Sequence, residues 1–396
     1  MVKTERLYYT DCYLSEFDSQ LVRAEPRAGQ VRVYLDRTAF YPDSGGQPAD
    51  RGTLGGILVT EVVDEGEVIA HILERLPEGE RLHGKVDWAR RFDHMQQHTG
   101  QHVLSAAFVR KGEYKTVSFH LGEEVSSIDL DSDRLRRRQI DEAEELANQV
   151  VFEDRPVRVH FKSSEEANAL DLRKPTGREG EVRLVEVGNF DLSACGGTHV
   201  NRTGAAGLIT VRKFERMKGL TRVEFVCGGR ALRSARRDFL TLSEAARLFS
   251  SGLENVPGLI AKQSDDLRSA SRAQARLLER MAEYEARELW QAAPEKNGRH
   301  IIRRILASED STEAKMLAHA IAKVGAAVAL IGVKGKPASL FFSQSPGGDA
   351  DLGAILREVA AKVGGKGGGA HDFAQGGGLD ESRLDEALEI AESLLQ

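Results

Sequence analysis

The sequence predicts an α+β protein: a β-rich N-terminal barrel-like module, an α+β domain, a long helical linker and a C-terminal α/β glycine-rich domain. Three observations predict it. Short alternating apolar runs broken by glycine fill residues 1–88, while helical and strand patterns intermix over 89–237. A stretch rich in Ala, Leu, Arg and Glu over 238–295 then separates both from a fresh alternation of strands and helices over 296–396. A chain of 396 residues also exceeds one ordinary core, so two or three units are expected.

In the first module, Val31-Arg32-Val33-Tyr34-Leu35 alternates as a half-buried strand does, with turn clusters at 41–46 and 52–56. In the second, Asp93 is placed to cap a helix covering Met95 to Val109, and a further helix is expected over Ile140 to Phe152. Strands are expected over Val157 to Phe161 and Leu208 to Val211. The linker reads as one or two long helices broken between Gly252 and Pro257. Its apolar positions Leu267, Ala270, Leu277, Met281 and Tyr284 suit either a face packed on its own domain or a seam between two copies. A homodimer through this linker or the C-terminal domain is therefore open. The last domain reads as helix 311–324, strands 327–333 and 338–343, helix 352–363, a glycine-dense loop and a final helix from Asp380.

Composition removes several function classes. No apolar run approaches the roughly 18 residues a bilayer span needs, so no membrane association is expected. The opening MVKTERLYY lacks the apolar core of a secretory signal, which makes the cytoplasm the expected location. Three scattered cysteines, Cys12, Cys195 and Cys227, argue for reduced thiols. A formal charge of −6 argues against wholesale polyanion binding. Basic groups at Arg134, Arg136, Arg137 and Arg138, at Arg212, Lys213, Arg216 and Lys218, and at Arg230, Arg233, Arg236 and Arg237 read first as solvated helix faces.

The sharpest chemistry lies in two short motifs. His98 and His102 stand four apart in Asp93-His94-Met95-Gln96-Gln97-His98-Thr99-Gly100-Gln101-His102, so on a helix both imidazoles leave one face and can close on one ion. His94, another four residues back on that face, is an extra ligand or a group that supports the ligands from behind, since such a helix rarely places three rings on one ion. Cys195-Gly196-Gly197-Thr198-His199 supplies a thiolate and an imidazole from a tight, glycine-permitted turn. Thiolate with imidazoles is the donor set Zn2+ prefers, and His98, His102, Cys195 and His199 together would hold one ion per chain. Four protein ligands usually close a structural site, whereas catalytic zinc keeps a place for water. A loose ligand, a five-coordinate ion, or zinc that only positions substrate would each reconcile this.

These motifs, with Thr38-Ala39-Phe40-Tyr41-Pro42-Asp43-Ser44-Gly45-Gly46-Gln47, Thr203 to Leu208 and Arg222 to Gly228 in the same order, resemble the editing domain of alanyl-tRNA synthetase. The tail Gly364 to Gly369 with Ala374 to Gly378 is similar to that synthetase's C-terminal glycine-rich domain. Because the sequence starts at the β-rich module, without room for aminoacylation and anticodon-reading parts, it resembles the free-standing AlaX family in its longer form. The resemblance implies a zinc-containing hydrolase that deacylates tRNA(Ala) mischarged with serine, and with glycine. Serine differs from alanine by one hydroxyl, which an apolar pocket rejects only about a hundredfold, so a second sieve is required.

The resemblance puts Thr38 where the family reads the seryl hydroxyl, with Gln47 and the Gly45-Gly46 backbone shaping the same pocket. It assigns no general base. Lys362, Lys366, Gly367 and Gly368 are the expected contacts to the RNA backbone. Cys227 is expected to be an inert core thiol. Two departures from the family pattern stand out: Asp191-Leu192-Ser193-Ala194 puts no acidic residue directly before Cys195, and Gln101 occupies a position that is commonly small. The alternative is a non-catalytic tRNA-binding factor whose zinc is structural.

Overall fold

The computed structural model describes residues 3–27, 29–177, 179–307 and 311–395. The chain forms two compact units, Met1–Glu244 and Ala245–Gln396.

The first unit opens with a closed six-stranded barrel. Around it run Glu16–Arg27, Gln30–Leu35, Ile69–Leu73, Ile57–Asp64, Gly52–Leu54 and Arg81–Val86, the last pairing back on the first. Alternation sends Val33, Leu35, Val59, Leu73 and Leu82 inward, around Phe40. Thr38 is fully buried against this barrel. His71 Nδ1 must donate to the Val33 carbonyl (3.2 Å), so Nε2 accepts the Thr38 hydroxyl proton at 2.8 Å. The same oxygen accepts the Phe40 N–H at 3.1 Å. Burial holds the His71 imidazole down at about 4, opposed by its bond to Val33.

The rest of this unit is an α+β layer built on helix α1 (Trp88–Gly112) and helix α2 (Arg137–Phe152). Both pack on an antiparallel sheet ordered Ile209–Met217, Leu220–Cys227, Ser126–Leu130 and Thr116–Leu121. Val103, Ala107 and Phe108 of α1 meet Ile140, Ala143 and Val150 of α2 over Ile128, Val223 and Phe225. A three-stranded sheet of Val157–Ser163, Glu181–Val187 and Asp191–Ala194 completes it.

Helix α1 starts earlier than the sequence suggests. Asp87, not Asp93, caps it by accepting the Arg90 N–H at 3.2 Å. Asp93 lies inside the helix, where Arg230 grips its carboxylate at 2.6–3.1 Å. The early start carries Arg91 into the barrel wall with no exposed surface. Its guanidinium binds the carboxylate of Asp50 and donates to the carbonyls of Cys12 (2.9 Å) and Ala39 (2.5 Å). Removing one partner of such a pair typically costs about 3–5 kcal/mol, because the other charge is left buried and unpaired.

The second unit is a mixed six-stranded sheet ordered Glu295–Lys296, Arg299–Leu306, Ala327–Val333, Ala338–Gln344, Phe373–Leu379 and Lys366–Gly369. Alternating residues serve its two faces. Ala329 and Ile331 meet helices Val256–Ala292 and Ser311–Val324, while Val328 and Leu330 meet helices Leu352–Val363 and Leu384–Ser393. The glycine-dense segment expected as a loop is instead two antiparallel strands, because Lys366–Gly369 and Phe373–Leu379 satisfy each other's backbone groups. The last helix begins at Leu384, with Asp380 capping a preceding short turn. The linker breaks where expected, between Leu248 and Val256. Ala282 and Ala286 face the sheet's helix, whereas Leu267, Leu277, Met281 and Tyr284 are exposed. No helix among the described residues is long and apolar enough to cross a membrane.

His71 yields a pH prediction. Its folded pKa near 4 lies below the unfolded 6.5, so the unfolded chain binds more protons between those values, and stability falls as pH drops from about 6.5 toward 4. Between pH 7 and 5 this contributes about 2 kcal/mol. Denaturant unfolding of wild type and His71→Gln at both pH values should show a shallower pH dependence in the variant; equal dependence would contradict the assignment.

Candidate metal centre

His98, His102, Cys195 and His199 converge, their ligand atoms all lying within 4.8 Å of one another. Cys195 Sγ stands 3.4 Å from His98 Nε2 and 3.3 Å from His199 Nε2. A tetrahedral zinc with ordinary bond lengths separates sulfur and nitrogen ligands by about 3.5 Å, so the donor set fits a single ion in both chemistry and spacing. Burial opposes ionisation of the Cys195 thiol, but the neighbouring imidazoles of His98, His199 and His102 together hold it well below its usual range. Burial first, and then the proximity of the His98 ring, push His199 down to about 3, which keeps a lone pair available.

Each ring is turned toward the cluster by a partner on its other nitrogen. His98 Nδ1 donates to Gln47 Oε1 (2.8 Å), His102 Nδ1 to Asp191 Oδ2 (2.9 Å), and His199 Nδ1 lies 3.2 Å from Thr99 Oγ1. Such partners fix tautomer and orientation and leave Nε2 to face inward. Asp191 is held in turn by Arg173 Nε (2.7 Å) and Ser193 Oγ (3.0 Å). Gln47 also bonds Thr198, accepting its N–H at 3.1 Å and donating to its hydroxyl at 2.9 Å. Arg183 pins the same turn by donating to the carbonyls of Cys195 (2.6 Å) and Gly197 (3.0 Å). Gly197 is required here, since a Cβ would stand 2.1 Å from His98 Cε1.

The helix ligands are seated as tightly. Gln97 exchanges hydrogen bonds with the backbone of Cys227 at 2.8 and 3.0 Å, and a Cβ on Gly100 would fall 2.2 Å from Cys227 Sγ. Cys227 is the buried thiol expected, its ionisation suppressed by burial. His94 stays outside the cluster; burial, then the Arg90 charge, pull it down to about 4.

The cluster borders a cavity of about 350 Å³ whose wall includes His98, Gln101, His102, Thr116, Ser118 and Cys195. A larger cavity of about 700 Å³ lies on the other side of Arg173, lined by Leu172, Leu184 and Phe190. Thr38 lines neither, so the structure does not bring it to the pocket where the sequence reading put it; its hydroxyl proton is committed to His71. Gln47 is fully buried and reaches the site through His98 and Thr198 rather than through the cavity wall. Asp191, Thr99, Arg173 and Arg183 were not legible as site residues. The one available signal was Asp191 itself, a lone acid four residues before Cys195.

Half of the basic residues named from the sequence form ion pairs. Arg137 and Arg138 bond Asp141 and Glu142 one turn on, and Arg212 bonds Asp238. Lys362 pairs with Glu358 at 2.8 Å, while Lys366 and Gly367 are exposed on the edge strand.

Residues 182–224 match the threonyl and alanyl tRNA synthetase second additional domain, and residues 278–396 match the DHHA1 domain. The alanyl-tRNA editing protein AlaX-L of Pyrococcus horikoshii is 32% identical over 99% of both chains. The chain belongs to the AlaX-L family of alanyl-tRNA editing proteins. Within the wider group of AlaX-L relatives, the editing protein Aarsd1 of Danio rerio is 30% identical over 69% of this chain and 70% of its own. The alanine–tRNA ligase of Halorubrum lacusprofundi is 34% identical over the whole of this chain, which spans 44% of that ligase.

In this AlaX-L member, Asp191→Asn should weaken metal affinity about 10- to 100-fold while leaving far-UV circular dichroism unchanged. Competition against a chromophoric chelator measures this, and unchanged affinity would remove Asp191 from the ligand-orienting role.

Proposed function

We propose that this chain hydrolyses the ester joining serine, and also glycine, to tRNA(Ala), with one Zn2+ held by His98, His102, Cys195 and His199. The observation that carries this reading is the placement of a thiolate–imidazole cluster in the wall of a cavity near the lower end of ligand-pocket sizes. That size suits a small amino acid. The names of its editing relatives support tRNA(Ala) as the carrier.

An aminoacyl ester is activated enough for positioned water to cleave it, so no nucleophilic side chain is demanded. A bound zinc would supply positive charge beside the ester. The chain's own residues hold the rest of the geometry. Asp191 and Gln47 lock the imidazoles, and Arg183 fixes the turn that bears the thiolate. The exposed edge strand Lys366–Gly369, with Lys362, is the proposed contact to the RNA backbone.

A closed set of four protein ligands favours a second reading, a tRNA-binding factor whose zinc is structural. Cys195→Ala separates the two. The expected result with mischarged Ser-tRNA(Ala) is deacylation by the wild type and a loss of at least about a hundredfold in the variant, with RNA binding retained. Absence of wild-type deacylation, with tight RNA binding, would replace the enzyme by the binding factor.

A further inference from the structure

The cavity beside the cluster offers few uncommitted polar groups. Ser118 Oγ donates to Asp129 (2.6 Å), Ser193 Oγ to Asp191 (3.0 Å), and Tyr41 Oη to the Ser44 carbonyl (3.0 Å). Thr116 Oγ1 donates to Ser105 Oγ at 2.7 Å. Gln101 differs. Its amide Nε2 donates to Ser105 Oγ at 2.8 Å, which fixes the plane of the carboxamide and turns its carbonyl to the opposite side. That carbonyl takes no hydrogen bond from any described residue, yet it is not closed off, although Gln101 as a whole is only 3% exposed. Its residue lines the cavity between the ligands His98 and His102 on the same helix. Ser44 also has a spare hydroxyl but sits half-buried at the rim, beside exposed Asp43 and Gly45.

We infer that Gln101 is a specificity-determining residue of this site: its amide is held by Ser105, which Thr116 bonds in turn, and its carbonyl accepts the hydroxyl proton of a seryl ester. The inference rests on the deacylase reading above. It also supplies what Thr38 cannot, since the Thr38 hydroxyl has given its proton to His71 and stands outside the cavity. A serine places a donor against the carbonyl. An alanine leaves that buried acceptor without a partner when the ester closes the cavity, and a site built around a substrate hydroxyl discriminates strongly against the analogue lacking it. Glycine lacks the donor as well, so serine is preferred over glycine. A reading of the α-ammonium instead would treat all three amino acids alike.

The test is a cycle that crosses a protein change with a substrate change. Wild type and Gln101→Leu are assayed on Ser-tRNA(Ala) and Ala-tRNA(Ala), with zinc measured on each preparation. The serine-to-alanine ratio of kcat/KM should fall about tenfold to a hundredfold in the variant, mostly through loss on serine. Ser105→Ala keeps Gln101 but frees its amide, and should lower the same ratio by a smaller factor, which keeps the test decisive if the leucine variant loses metal. An unchanged ratio, or an equal loss on both esters, overturns the assignment. Wild-type protein that cleaves neither ester would overturn the deacylase reading itself, a result distinct from a failed ratio.

Discussion

The seating of helix α1 governs the N-terminal unit. Three contacts fix it: the buried Arg91–Asp50 pair ties its start to the barrel, Gln97 ties its middle to the Cys227 backbone, and Gly100 lets it lie directly on Cys227 Sγ. With the helix so held, His98 and His102 present their rings toward a turn 97 residues further along the chain, where Cys195 waits. A close-packed interior transmits small displacements, so an extra methyl at Gly100 or Gly197 would displace the cluster. The hydrogen-bonding side chains around the rings, Gln47, Asp191 and Thr99, each come from a different element, which makes the cluster a product of the whole unit rather than of either motif.

The convergence of His98, His102, Cys195 and His199 was legible because two motifs, each with its own spacing, pointed to one place. A helix puts residues four apart on one face, and a Cys-Gly-Gly-Thr-His turn brings thiolate and imidazole together without regular structure. The orienting residues were not legible, because nothing local distinguishes Arg183 from other strand residues, and the position of Asp191 before Cys195 gains meaning only when His102 and Arg173 are seen to bond it. Thr38 illustrates the converse. Its position in a glycine-rich motif suggested a pocket, yet His71, 33 residues away, takes its hydroxyl proton inside the barrel. Asp93 had the right chemistry for a cap, but the preceding Trp88 to Phe92 continue the helix because Arg91 has a buried partner.

The C-terminal unit shows the same division. Periodicity gave the long helix Val256–Ala292, the break before it and the central strands, since apolar spacing is a local signal. The glycine-dense segment defeated that signal: glycine carries no side chain to alternate, so strand pairing there is decided by backbone partners. Arg299–Leu306 escaped for a related reason, because its arginines interrupt the apolar pattern and are satisfied instead by acids such as Glu392 and Glu285.

The proposed function rests on the join between a His98, His102, Cys195 and His199 cluster that could hold a metal and a small polar cavity, with the proposed selectivity lodged in the cavity wall. The most direct test of that arrangement is zinc K-edge X-ray absorption on the purified chain, with the metal quantified. The account predicts one zinc per chain bound by one sulfur and nitrogen ligands, with the sulfur contribution abolished in Cys195→Ser. Zinc surrounded only by oxygen and nitrogen in the wild type, or a sulfur signal that survives that substitution, would contradict it.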